Sequence, residues 1–215
     1  MKGLWALLLL ISFSALPVLA VYIWIRFRKF PMGFPWFLAA LLSGAFSLGA
    51  AALIQSLFPS PEELTLRILL AKIFLQIALT EELARLGVLL LLFWLARRFS
   101  KHRESLTPAF GTATGLIAGL GFAVIETAFY GAANFSVALI RAVTAAPLHG
   151  ACGARIGLGA VNLKKEPFLA VLRFFYAVII HGMYNFMLVS PSVPVIFPIL
   201  IALTALISSI QALRT

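Results

Sequence analysis

The sequence predicts an all-α polytopic membrane protein, a bundle of about seven transmembrane helices. Of its 215 residues, 62% are hydrophobic and the mean hydropathy is +1.06, whereas soluble domains are roughly 45–50% apolar. Apolar runs of about 20 residues, the length of one bilayer crossing, recur along the chain. Short segments between these runs carry most of the basic residues. A single membrane domain over residues 1–215 is therefore expected, without a soluble domain.

The first two spans are predicted over residues 4–25 and 35–58. A kink is expected at Pro17 in the first span. The basic segment 26–29 follows a run that is too long for a signal peptide, so the first span is interpreted as an uncleaved anchor. The second span is rich in Gly and Ala, which favours close helix packing, and carries no recognisable chemistry.

The third helix is predicted from about residue 62 to 99, which is too long for one crossing. Ser60 is a suitable helix cap, and Pro61 suits the first helical position. Arg67 and Lys72 predict that the opening of this helix lies in the membrane interface.

Four further spans are predicted over residues 108–130, 135–161, 168–189 and 193–213. The last of these is expected to serve packing alone. Basic segments follow the first, third and fifth spans, at residues 26–29, 97–103 and 164–165. Because such segments remain in the cytoplasm, the N-terminus is predicted outside and the C-terminus in the cytoplasm.

Composition excludes several classes of function. The formal net charge of +10 is spread over short loops, so the lipid bilayer is the expected partner and nucleic acid is not. Cys152 is the only cysteine, which rules out an intrachain disulfide. The chain contains no aspartate, no Gly-x-Ser-x-Gly segment and no His-Glu-x-x-His segment.

The segment Thr80–Arg85 places two glutamates and an arginine inside an apolar run. Each charge costs roughly 2.5–3.5 kcal/mol on insertion scales, which indicates a functional site. Glu81 and Arg85 share a helix face, while Glu82 lies to one side. Arg85 can neutralise one glutamate and leave the other directed at the bundle interior, where it can act as a general base on water. The alternative is an ion pair that holds helices together.

His181 and Asn185 lie four residues apart and can both donate to a developing oxyanion. Gly182 is expected to keep the helix surface beside His181 open. The alternative for this pair is an interhelical hydrogen bond, worth about 0.6 kcal/mol in membranes. Gly119 and Gly121, on the fourth span, predict close approach of a partner helix or of a substrate backbone.

Glu126, Arg141 and His149 complete the set of ionisable candidates. Glu126 is either catalytic or paired with Arg141 or Arg155. His149 is either catalytic or hydrogen-bonded to Glu126, and a structural role is favoured for Arg141.

Two other classes of protein fit these residues. A transporter or channel would use the buried Glu, His and Arg groups as a proton or ion path, although the halves of the chain show no evident inverted repeat. A non-catalytic scaffold would bind a partner helix through its Gly and Ala faces.

Four segments in order resemble the four motifs of the PrsW family, which are bacterial intramembrane proteases related to the CAAX prenyl endopeptidases. The segments are Glu81–Arg85, Gly119–Glu126, Arg141 with His149, and His181–Asn185. They fall within a motif-bearing core of about residues 62–189. Thr127 departs from the pattern, because the family usually has asparagine there.

The resemblance implies a glutamate-dependent endopeptidase of the bacterial inner membrane. Its substrate would be a single-pass membrane protein cut near the outer face, such as an anti-sigma factor receiving its first cut. Matched positions imply catalytic roles for six residues and supporting roles for two. The six are Glu81, Glu82, Glu126, His149, His181 and Asn185, and the two are Arg85 and Arg141. A metal-free mechanism is expected, with Glu81, His149 and His181 as the alternative zinc ligands.

Overall fold

The computed structural model describes residues 2–59, 65–99, 106–133, 135–211 and 213. These residues form seven helices and no strand, which confirms the predicted all-α bundle. The helices are α1 (Lys2–Phe27), α2 (Phe34–Gln55), a composite third helix, α5 (Pro108–Ala133), α6 (Phe135–Asn162), α7 (Pro167–Val189) and α8 (Ile196–Gln211). The third helix comprises α3 (Leu66–Ala71), a π-helical segment (Lys72–Leu79) and α4 (Thr80–Phe99), which follow one another without a break.

Three helical stretches are long and apolar enough to cross a bilayer by length and composition: Phe34–Gln55, Pro108–Tyr130 and Pro167–Val189. The chain is thus an all-α membrane protein. The composite third helix begins later than predicted, with Thr65 as its cap, whose side chain accepts from the Ile68 amide. The predicted cap Ser60, the predicted first helical residue Pro61 and the basic residues 101–103 lie outside the described residues.

Helices α5 and α6 pack closely through glycines, as the sequence predicts for Gly119. A Cβ at Gly119 would lie well inside van der Waals contact with the carbonyl oxygen of His149. Gly115 and Gly153 likewise face each other's backbones, and Gly121 faces the Leu41 carbonyl of α2. These contacts hold the backbone that carries His149 directly against α5.

We expect Gly119→Ala to lower the free energy of unfolding by about 1–3 kcal/mol, because the new methyl must push α6 away from α5. Gly49→Ala, in α2, is the matched control, since a Cβ there meets nothing within 4 Å. Unfolding in mixed micelles measures both. Equal stability of the two variants would contradict this packing.

The π-helical segment Lys72–Leu79 was not predicted, because its sequence is as apolar as that of an ordinary span. Segments of this kind are frequent at functional sites, and this one ends immediately before Thr80 and Glu81. The expectation that Gly182 leaves an open surface is wrong. The ring of Phe74 occupies that space, where any Cβ would collide with it.

Candidate active site

Four helices bring ionisable side chains to one place in the bundle. Helix α4 contributes Glu81, Glu82 and Arg85, α5 contributes Glu126, α6 contributes Arg141 and His149, and α7 contributes His181. All but Glu126 are buried, and Glu82 and Arg85 are completely enclosed. The sequence predicts each of them as a site residue, because each is an ionisable residue inside an apolar run.

Glu82 is the partner of Arg85. Its Oε2 accepts from the Arg85 guanidinium, and its Oε1 lies 2.7 Å from Nδ1 of His181. Because a carboxylate only accepts, the Nδ1–H of His181 donates to Glu82. This bond fixes the ring and leaves Nε2 of His181 directed elsewhere.

His149 links the α4 cluster to Glu126. Its Nδ1 lies 3.2 Å from Nη2 of Arg85, and its Nε2 lies 2.8 Å from Oε2 of Glu126. Arginine is always a donor, so Nδ1 accepts and the Nε2–H donates to Glu126. Oε1 of Glu126 lies 2.6 Å from Nη2 of Arg141. Glu126 therefore pairs with Arg141, and His149 is hydrogen-bonded to Glu126, which are the two structural roles that the sequence offers as alternatives to catalysis. Arg155 is not part of this network.

Glu81 differs from the other carboxylates. Its Oε1 accepts a hydrogen bond of 3.3 Å from Gln55 of α2. Its Oε2 is buried with no hydrogen-bond partner and lies 3.6 Å from Nε2 of His181. A buried polar atom without a partner calls for a specific explanation, such as an ion or a catalytic role.

Glu81, His149 and His181 are a candidate ligand set for a divalent metal, in which His149 would bind through Nδ1 once the Arg85 guanidinium no longer donates to it. One ligand atom from each lies within 4.8 Å of the others, and all three residues are buried. Two imidazoles and one carboxylate are a ligand set found in catalytic zinc sites. The bonds from His181 to Glu82 and from His149 to Glu126 are of the kind that orient metal-binding histidines. The unpartnered Oε2 of Glu81 supplies the third donor.

A cavity of about 380 Å³ adjoins the network at Glu126 and Arg141, while Glu81, His149 and His181 are not among its lining residues. Glu126, Tyr130, Arg141 and Asn185 give it a polar wall, and the apolar residues lining it are Ile73, Ile77, Ile140, Leu188, Val189 and Val195. Asn185 and Glu126 therefore line the same cavity. Nε of Arg141 is buried and has no hydrogen-bond partner.

Three contributors to the site were missed by sequence reasoning. Gln55 comes from the span that was assigned no chemistry, and a lone polar residue at a helix end gives no signal of its own. Phe122 packs its ring 4.6 Å from the Arg85 guanidinium carbon and 4.8 Å from the His149 ring. The ring centroid of Tyr130 lies 3.9 Å from the guanidinium carbon of Arg141. The two aromatic residues are indistinguishable from packing residues in the sequence.

The fold and the site together define a polytopic membrane protein with an enclosed cluster of carboxylates and imidazoles. A family model described as PrsW family intramembrane metalloprotease matches residues 33–208. The chain belongs to this family and is an intramembrane protease, which confirms the resemblance carried by the four motifs. No curated protein and no solved structure matches the chain.

Proposed function

We propose that the protein is an intramembrane endopeptidase that hydrolyses a peptide bond with water activated at the Glu81–His149–His181 cluster. The observation that carries the proposal is the buried Oε2 of Glu81, which has no hydrogen-bond partner and lies 3.6 Å from Nε2 of His181. An oxygen of this kind, in a site enclosed by helices, is suited to hold or deprotonate a water molecule.

A metal ligand and a general base require the same property of Glu81, namely a carboxylate oxygen free of protein donors. Glu81, His149 and His181 are the residues that would hold a zinc ion, which would supply a water of lowered pKa and Lewis acidity toward the scissile carbonyl. Glu82 holds the His181 ring in place, and Arg85 balances the charge of Glu82. Glu126 accepts from His149 and Arg141 at the cavity wall and so orients the His149 ring.

The 380 Å³ cavity is the proposed binding site for the substrate segment. Its apolar wall suits aliphatic side chains of a transmembrane or juxtamembrane segment, while a few polar groups fix orientation. The amide of Asn185 is a donor for the developing oxyanion. The unpartnered Nε–H of Arg141 is a donor for a second backbone carbonyl of the substrate.

The proposed substrate is a single-pass protein of the bacterial inner membrane, with anti-sigma factors as the class that the family resemblance suggests. The orientation proposed from the basic loops places the N-terminus outside. Under this orientation the cavity lies toward the outer face, because its lining residues Tyr130, Ile140, Leu188 and Val189 lie near the ends of α5, α6 and α7 on that side.

In place of the metal-free mechanism expected from the sequence, we expect a strong chelator to lower the cleavage rate by about a hundredfold or more and added zinc to restore it, because the family is described as a metalloprotease and Glu81, His149 and His181 lie close enough to share one ion. The measurement is cleavage of tagged single-pass proteins by purified protein in liposomes. Circular dichroism of the chelated protein controls for unfolding. Cleavage that continues unchanged in chelator would contradict metal binding and return Glu81 to the role of a base acting directly on water.

A further inference from the structure

Arg155 of α6 forms a second polar site, separate from the carboxylate cluster. Its Nη1 donates to the carbonyl oxygens of Ala151 (2.9 Å) and Ala205 (3.2 Å) and to the hydroxyl of Ser209. Its Nη2 donates to the hydroxyl of Ser208. These contacts join α6 to α8 through neutral acceptors alone.

The charge of Arg155 has no carboxylate partner among the described residues. Arg85, Arg141 and Arg173 each pair with a glutamate, at Glu82, Glu126 and Glu166 respectively. Arg155 instead lies over the ring of Tyr176, with its guanidinium carbon 5.1 Å from the ring centroid. An unbalanced guanidinium in a transmembrane helix is a candidate for binding a ligand of opposite charge.

A cavity of about 290 Å³ adjoins Arg155. Its lining is mostly apolar in area and includes four residues that carry a hydroxyl, Thr112, Tyr176, Ser208 and Ser209, together with Ala154 and Leu158. Ser208 and Tyr176 are exposed at the bundle surface. The hydroxyls of Thr112, Ser208 and Ser209 donate to backbone carbonyls, so what the cavity offers to a group that arrives from the surrounding lipid is the guanidinium charge of Arg155.

The cavity lies toward the end of the bundle where α6 and α8 both end, and the long side chain of Arg155 can extend from there toward the headgroups. Arg155 lies seven residues before the end of α6 at Asn162, about 10 Å along the helix axis. Ser208 lies within one turn of the end of α8 at Gln211. Lys164 and Lys165 follow at the same end of the bundle, which the basic loops place at the cytoplasmic face.

We propose that this cavity, formed by Arg155, Ser208, Ser209 and Tyr176, binds the phosphate group of an anionic phospholipid. Guanidinium groups bind phosphate oxygens with paired hydrogen bonds, and basic pockets between transmembrane helices are suited to anionic headgroups. Ala154 and Leu158 provide apolar surface beside the headgroup site for the start of an acyl chain.

The test is native mass spectrometry of the purified full chain in detergent with an equal mixture of phosphatidylglycerol and phosphatidylcholine of the same acyl chains. The wild type should retain phosphatidylglycerol about fivefold over phosphatidylcholine, the preference expected from one basic residue near the headgroups. Arg155→Gln removes the charge, and Leu158→Trp fills the cavity without changing the charge. Both variants should show a ratio near one.

Arg98→Gln is the matched control, because Arg98 is an exposed cation at the end of α4 with no ion pair among the described residues. It should keep the wild-type ratio. A folded Arg155→Gln variant with an unchanged ratio would overturn the proposal. If that variant does not fold, an unchanged ratio in Leu158→Trp would overturn it instead.

Discussion

Glu81→Gln is expected to lower the cleavage rate by about a thousandfold, within the range for loss of a positioned acid–base group. The amide cannot accept a proton from water at the position of Oε2 and is a poor metal ligand. Stability should change little, because Oε2 makes no hydrogen bond that the substitution could break and the side chain keeps its volume. The measurement is the initial rate of product formation in liposomes.

Glu166→Gln is the matched control for this substitution. Glu166 is 41% exposed and pairs only with Arg173, so its loss should leave the rate unchanged. Undiminished cleavage by a folded Glu81→Gln variant would remove Glu81 from the mechanism. Equal losses in both variants would indicate a general effect of charge.

Arg85→Met is expected to lower the free energy of unfolding by about 3–5 kcal/mol, the range for removing one partner of a buried ion pair. The substitution leaves the Glu82 carboxylate enclosed without its cation and removes the donor to Nδ1 of His149. Unfolding in mixed micelles, followed by circular dichroism, gives the value.

The exposed Arg98 provides the control for Arg85, since Arg98→Met should change stability by less than about 0.5 kcal/mol. Adding Glu82→Leu to Arg85→Met should recover part of the loss, because the carboxylate left unpaired is then absent. A loss of less than about 1 kcal/mol in the single variant, or no recovery in the double variant, would contradict a buried pair between Glu82 and Arg85.

The helices could be predicted because a bilayer imposes one strong requirement on sequence, a run of about 20 apolar residues. Charged and other ionisable residues inside such runs stand out, and for this reason the sequence alone indicates Glu81, Glu126, His149 and His181. Their assembly into one cluster follows from the same cost, since isolated charges in the bilayer must find partners.

Other features of the site depend on geometry that residue spacing does not determine. Residues three and four apart are both neighbours on a helix, so spacing alone could not decide whether Arg85 would pair with Glu81 or Glu82. The π-helical segment Lys72–Leu79 and the packing of Phe74 on Gly182 have no sequence signal. The placement of Asn185 in the cavity wall depends on how α7 lies against the π-helical segment.

The most direct test of the proposed activity is cleavage in water enriched in ¹⁸O. Purified protein in liposomes is given a panel of tagged single-pass proteins with short outer juxtamembrane segments, and mass spectrometry maps each new C-terminus. Hydrolysis by activated water predicts ¹⁸O in the new carboxylate of wild-type products and loss of those products with His181→Ala. The cuts should lie beside aliphatic residues in the outer half of the membrane segment. Folded wild-type protein that yields no product from the panel, while conducting ions or protons across the liposome membrane, would contradict the account and indicate a transport function.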